Sequence, residues 1–87
     1  MKNETLDVPM ARVEVTQDDI DRGVPDRRCD CPIALALHRL TGKHWNVFQN
    51  CVRFNSLTIA LPMEARFFIR CFDRKEQVDP FAFELPI

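Results

Sequence analysis

The chain has 87 residues, of which 46% are hydrophobic and 29% charged, a composition typical of a globular domain. That length suits a single domain with a small core. Because 12 Lys and Arg residues stand against 13 Asp and Glu residues, the net charge is −1. This balance argues against a strongly basic nucleic-acid binder and against an acidic nucleic-acid mimic, so a charged partner would have to meet a local patch.

The N-terminal part of the sequence predicts a tail, a strand and a short helix. Residues 1–10 are mostly polar and are expected to form a tail, so the domain is predicted to span 11–87. Apolar residues alternate with charged ones over 11–15, as in a half-buried strand. Thr16 and Asp19 then have the spacing of a capping box, which predicts a single helical turn that Gly23 ends.

A hydrophobic helix is predicted over 32–41, because Pro32 can occupy its first position and Gly42 can end it. The residues of its apolar stripe are spaced three or four apart. They are Ile33, Ala36, Leu37 and Leu40. Leu35 falls outside this stripe, which indicates either burial on two sides or a contact surface.

Two arrangements are open for residues 45–61. One is a meander of three strands over 45–48, 51–54 and 57–61, with turns at Gln49-Asn50 and Asn55-Ser56. The other is one long strand over 45–54 paired with 57–61, as in a ferredoxin-like fold.

The C-terminal part predicts a second helix and a last strand. Pro62 can open the helix, whose apolar residues repeat at helical spacing. They are Ala65, Phe68, Ile69 and Phe72. Apolar residues then alternate over 81–85. The predicted fold is therefore a single α+β domain with a mostly antiparallel sheet of four to five strands, two main helices and the order β-α-β-β-(β)-α-β.

Two cysteines precede the first main helix and are the only chemical signature of the chain. If Pro32 is the first helical residue, Cys31 is the N-cap, and the helix dipole together with Arg27 and Arg28 would favour its thiolate. No base partner is visible for a nucleophile. The four cysteines and two histidines lack the paired Cys-x-x-Cys spacing of a zinc site. We predict no catalytic residue, metal or cofactor, with a zinc or redox protein using Cys29 and Cys31 as the alternative.

A weak basic edge with one aromatic residue is the only pattern that favours single-stranded nucleic acid. It would consist of Arg39, Lys43, His44, Trp45 and Arg53. Because Trp45 has equal reason to be a core residue, nucleic acid is not the expected partner.

Protein binding is the expected activity, because apolar residues lie beside the buried stripes of both helices. Leu35 occupies such a position on the first helix and Phe67 on the second. Arginines that the predicted loop and helix expose complete the set. The candidate protein-binding residues are therefore Arg27, Arg28, Leu35, Arg39 and Phe67.

Four segments carry a resemblance that spans most of the chain. They are VTQDDIDRG at 15–23, CPIALAL at 31–37, LPMEARF at 61–67 with Phe72-Asp73, and VDPFAFEL at 78–85. They are similar to small uncharacterised bacterial and phage-encoded proteins. The resemblance implies a stand-alone accessory protein of phage or mobile-element type and assigns no role to any residue.

From this resemblance, the small size and the missing catalytic groups, we expect a non-enzymatic protein that binds another protein. Inhibition of a host defence system such as CRISPR interference is one such role. The sequence has neither a signal-peptide core nor a run of about 20 apolar residues that could cross a bilayer. We therefore expect a cytoplasmic location, the host cytoplasm if the protein is phage-encoded, and no membrane partner. A homodimer is an additional option.

Overall fold

A computed structural model describes residues 10–87 of the chain, so the predicted tail lies outside the described residues apart from Met10. Five strands and three helices follow one another within these residues. They are β1 (Ala11–Val15), α1 (Gln17–Arg22), α2 (Pro32–Thr41), β2 (Asn46–Val47), β3 (Cys51–Phe54), β4 (Leu57–Ala60), α3 (Met63–Asp73) and β5 (Phe81–Leu85). This architecture confirms the predicted α+β class.

The strands form two antiparallel sheets. β1 pairs with β5, and Val13 lies opposite Phe83. β2, β3 and β4 form the second sheet in that order, with Val52 opposite Ile59. The three-strand meander is therefore the correct arrangement of residues 45–61, although its first strand has only two residues.

The expectation of one sheet of four to five strands is wrong, and so is the ferredoxin-like alternative. The chain turns back at residues 48–50, where the Phe48 N–H donates to the Cys51 carbonyl at 2.8 Å. A second turn follows at Asn55, whose φ of 54° is left-handed. Because these turns pair β3 with its sequence neighbours, β1 pairs only with β5 among residues 10–87.

The capping box forms as predicted at the start of α1. The Asp19 N–H donates to the Thr16 hydroxyl at 3.2 Å, and the Thr16 N–H donates to the Asp19 carboxylate at 2.9 Å. The helix ends at Arg22 with Gly23 as its C-cap, as predicted, and the Gly23 N–H donates to the Asp19 carbonyl. Glycine is required at position 23, because a Cβ there would lie only 2.6 Å from Pro32 Cδ.

Helix α2 begins at Pro32 and ends before Gly42, as predicted, with Gly42 in the left-handed conformation. Its stripe is shifted from the predicted one. Leu37 is fully buried, whereas Leu40 is 48% exposed and Leu35 is half-buried. The reason is that the last turn is exposed from His38 to Leu40, so it extends beyond the core that covers the rest of the helix.

Helix α3 buries the face predicted from its periodicity. Ala65, Phe68 and Ile69 are buried and Phe72 is half-buried. Phe68 also stacks on Phe81 of β5, with ring centroids 4.7 Å apart, so α3 is joined to the first sheet. None of the helices among residues 10–87 is long and apolar enough to cross a membrane.

Candidate protein-binding site

The outer face of α3 exposes two large apolar side chains, which lie one helical turn apart. Met63 is 74% exposed and Phe67 is 62% exposed. The buried face of α3 contains Ala65 and Phe68. Phe67 lies between them in sequence, and the helical period places it on the outer face. Its predicted exposure is therefore present, while its role in binding stays a prediction.

Phe67 borders an open groove of about 290 Å³ between α3 and the segment that leads into β5. Phe68 and Phe81 line the groove from the core side, and Val78 and Pro80 line it from the connecting segment. Glu64 and Asp79 also border it. The groove is thus mainly apolar with carboxylates at its edge, and we refer to it as the Phe67 groove.

The two loop arginines lie on a different side of α3. Arg27 and Arg28 are exposed and border a small cavity of about 180 Å³ together with Ile69 and Asp73. Arg28 holds its guanidinium carbon 5.0 Å from the centre of the Phe48 ring, a cation–π contact. The structure therefore brings these two arginines together, but not with Phe67.

Arg39 makes structural contacts that the sequence did not predict. Its guanidinium donates to both carboxylate oxygens of Asp19, at 2.6 and 3.0 Å, and to the Glu14 carbonyl at 2.9 Å. These contacts were not foreseen because Asp19 lies 20 residues away in sequence and faces α2 only once α1 packs against it. The Arg39 side chain stays 52% exposed, and its role in binding stays a prediction. Leu35 is half-buried on α2, and its role in binding stays a prediction.

The Asp19–Arg39 pair keeps a buried carboxylate charged. Burial disfavours the charge of Asp19, but hydrogen bonds from Arg39 and Thr16 outweigh this cost, so the pKa of Asp19 lies below its ordinary value. The same pair raises the pKa of Arg39. The pair therefore fixes α1 against α2.

Cys31 is the N-cap of α2, as predicted, but its thiol is not activated. Its sulfur accepts a hydrogen bond from the Ala34 N–H at 3.4 Å. Burial raises the pKa of Cys31 to about 11, opposite to the shift expected from the helix dipole, because the loss of hydration outweighs the backbone hydrogen bonds. The expectation of a stabilised thiolate is wrong.

The cysteines do not converge on a metal site in the described part of the chain. Cys29 is exposed and donates to the Asn46 side-chain oxygen at 3.1 Å, and all four cysteines are free thiols. No group of three or more His, Cys, Asp or Glu residues within 10–87 is placed to hold a metal ion. No contact in this region favours the zinc or redox alternative.

The basic edge considered for nucleic acid lacks an exposed Trp45. Trp45 is 4% exposed, and its indole N–H donates to the Thr41 hydroxyl at 3.0 Å. Lys43 lies over the Phe54 ring at 5.4 Å, and Arg39 is held by Asp19. Trp45, the aromatic residue on which the nucleic-acid alternative depended, is therefore not available for base stacking.

Sequence reasoning missed Met63 and a row of arginines on α3. Arg66, Arg70 and the C-cap residue Arg74 are four residues apart, a spacing that places them along one side of a helix and its end. This spacing is visible in the sequence and could have identified the row. Their environment also includes the β2–β3 turn, which lines the same cleft.

No family model matches the chain, and no curated protein or solved structure matches it either.

Proposed function

We propose that this chain is a non-enzymatic protein that binds another protein through the outer face of α3. The observation that carries the proposal is the exposure of Met63 and Phe67 beside the Phe67 groove. Fully burying a large apolar side chain contributes about 1.5–3 kcal/mol, and the fold leaves most of this contribution unused at both positions. Contiguous exposed apolar side chains are typical of contact surfaces.

The partner has an apolar side chain that enters the Phe67 groove and packs on the Phe67 ring. Polar residues surround the apolar centre of this face. Glu64 and Asp79 lie on the groove side, and Arg66 and Arg70 lie on the other side of the helix. An apolar centre within a polar rim is the usual anatomy of a protein interface. A partner with an apolar side chain surrounded by polar groups would contact both the apolar centre and the polar rim of this face.

We also propose a biological role for this binding, that of an accessory protein. The small size of the chain and the resemblance of its four sequence segments, which stays a prediction, are the grounds on which we propose a phage or mobile-element factor. Inhibition of a host defence complex such as CRISPR interference is the role that we propose to test first. Such complexes act in the host cytoplasm, which is where this protein would have to be located.

The binding face is tested by capture from a lysate of the host cell with three immobilised proteins. They are the wild type, Phe67→Glu and Leu57→Glu. Leu57 is the matched control, because it is 49% exposed but lies on β4. We expect the wild type and Leu57→Glu to retain one stoichiometric protein that Phe67→Glu loses. Equal retention by all three proteins would reject the α3 face.

The defence role is tested in cells whose CRISPR system attacks a plasmid. Expression of the wild-type protein should restore transformation by that plasmid, and expression of Phe67→Glu should not. If wild-type expression leaves transformation unchanged, the protein does not inhibit that system. Light scattering measures the molar mass in parallel, and a dimer that Phe67→Glu dissociates would identify a second copy of the chain as the occupant of the groove.

A further inference from the structure

A second depression lies on the side of α3 that faces away from the Phe67 groove. Arg66 and Arg70 occupy successive turns of the helix, about 6 Å apart along its axis, and Arg74 follows as the C-cap residue. All three line a cleft of about 570 Å³. We refer to it as the arginine cleft.

The β2–β3 turn also lines the arginine cleft, through Gln49 and Asn50. The cleft adjoins the smaller cavity that Arg27 and Arg28 border, since the two share Gln49 among their lining residues. Five guanidinium groups therefore border one continuous depression, although the whole chain has a net charge of −1.

The arginines of the cleft are much less engaged than Arg39. Arg66 uses its Nε–H to donate to the Leu61 carbonyl at 2.8 Å, which fixes the side chain and leaves the two terminal nitrogens free of hydrogen bonds within residues 10–87. Arg70 forms no ion pair within the described part of the chain, and Arg74 reaches Glu76 only at 4.0 Å. Their donors are available to a ligand.

Two carboxylates also border the cleft, so it is not uniformly positive. Asp73 accepts a hydrogen bond from the Asp26 backbone N–H at 3.0 Å, and both residues line the cleft. They would repel a second anionic group but accept hydrogen bonds from hydroxyl or amino groups. The cleft thus combines donors for an anion with acceptors for neutral polar groups.

We propose that the arginine cleft binds a phosphorylated small molecule of nucleotide size. Its phosphate groups would contact Arg66 and Arg70, since the planar guanidinium fork matches phosphate oxygens, and its hydroxyl or amino groups would contact Asp26 and Asp73. The cleft volume lies within the range of about 300–1,000 Å³ that small-molecule sites span. The cleft and the Phe67 groove share no lining residue, although Arg66 and Arg70 also border the proposed partner-binding face, so Phe67→Glu tests the groove without removing a residue of the cleft.

Calorimetric titration with ADP, GDP and inorganic pyrophosphate tests the proposal. We expect saturable binding that weakens with added salt, with a nucleoside diphosphate binding more tightly than pyrophosphate. The double variant Arg66→Gln/Arg70→Gln should bind at least ten times more weakly. The control double variant Arg12→Gln/Arg53→Gln removes the same charge from β1 and β3 and should bind like the wild type.

The outcomes separate clearly. No saturable binding to any of the three probes, or equal weakening in both double variants, would overturn the proposal. Equal binding of pyrophosphate and ADP would overturn the role of Asp26 and Asp73. Tighter binding of a single-stranded oligonucleotide, increasing with its length, would reassign the cleft to nucleic acid. Phe67→Glu should leave nucleotide binding unchanged, and thermal unfolding of each variant reports whether it is folded.

Discussion

The corner between α1 and α2 and the outer side of α3 contain the same kinds of side chain but use them differently. At the corner, Arg39 makes three hydrogen bonds and Leu37 is fully buried. On α3, Arg70 has no ion-pair partner within residues 10–87, and Phe67 is 62% exposed. The comparison shows that residue type alone does not distinguish a structural side chain from one available for binding, whereas its contacts do.

Truncation of an apolar side chain should separate the two regions most strongly. Leu37→Ala removes a fully buried side chain, and we expect it to lower the free energy of unfolding by about 3 kcal/mol. Phe67→Ala should change it by less than about 1 kcal/mol, because the ring is mostly in water. Urea denaturation of both variants measures the difference. Equal losses would mean that Phe67 belongs to the core.

Loss of the buried carboxylate is the next largest effect. Asp19→Ala removes both the capping box and the partner of Arg39, so we expect a loss of about 2–3 kcal/mol in the free energy of unfolding. Asp18→Ala is the matched control, because Asp18 lies in the same helical turn and pairs with Arg22 in solvent. Its loss should be below about 0.5 kcal/mol. Similar losses in the two variants would contradict the structural role of Asp19.

The Asp19–Arg39 pair also gives the protein a defined response to acid. Folding lowers the pKa of Asp19, so its charged form contributes stability that is fully present above the unfolded pKa of about 3.9 and is lost as pH falls through the folded pKa. The difference in the free energy of unfolding between the wild type and Asp19→Asn should therefore shrink below pH values of about 4. A difference that stays constant down to the lowest pH would show that the carboxylate charge does not contribute.

The smallest expected effect is a difference in the rates at which two cysteines are modified. With a pKa of about 11, Cys31 is almost entirely protonated near pH 8, and its side chain is buried. Iodoacetamide should therefore modify the exposed Cys29 at least about ten times faster than Cys31. Mass spectrometry of digested protein follows both residues. Preferential labelling of Cys31 would restore the activated-thiol hypothesis.

Local signals were sufficient to predict most elements. The capping residues Thr16 and Asp19, the Cys31-Pro32 start of α2 and the apolar spacing of α3 each depend on residues within two turns of one another. For the same reason the meander over 45–61 was among the predicted alternatives. Each of these features is determined by residues that are close together in the sequence, so it can be predicted from the sequence alone.

Pairing between distant segments was not predictable in the same way. The division of the strands into two sheets depends on which sheet edges meet, and the Arg39–Asp19 pair depends on how α1 packs on α2. For the same reason Leu40, which was predicted in the buried stripe, is exposed, and Leu35, which was predicted outside it, is half-buried. The arginine row was readable on α3, but its cleft is also lined by Gln49 and Asn50 of the β2–β3 turn.

The central claim, that the outer face of α3 is available for a partner and not needed by the fold, is tested most directly by one paired measurement on Phe67→Glu. Partner capture and the free energy of unfolding are measured on the same preparations, with Leu57→Glu as control. The account predicts that Phe67→Glu loses the captured protein while its free energy of unfolding stays within about 1 kcal/mol of the wild type. Undiminished capture, or a loss of capture that accompanies unfolding, would contradict it.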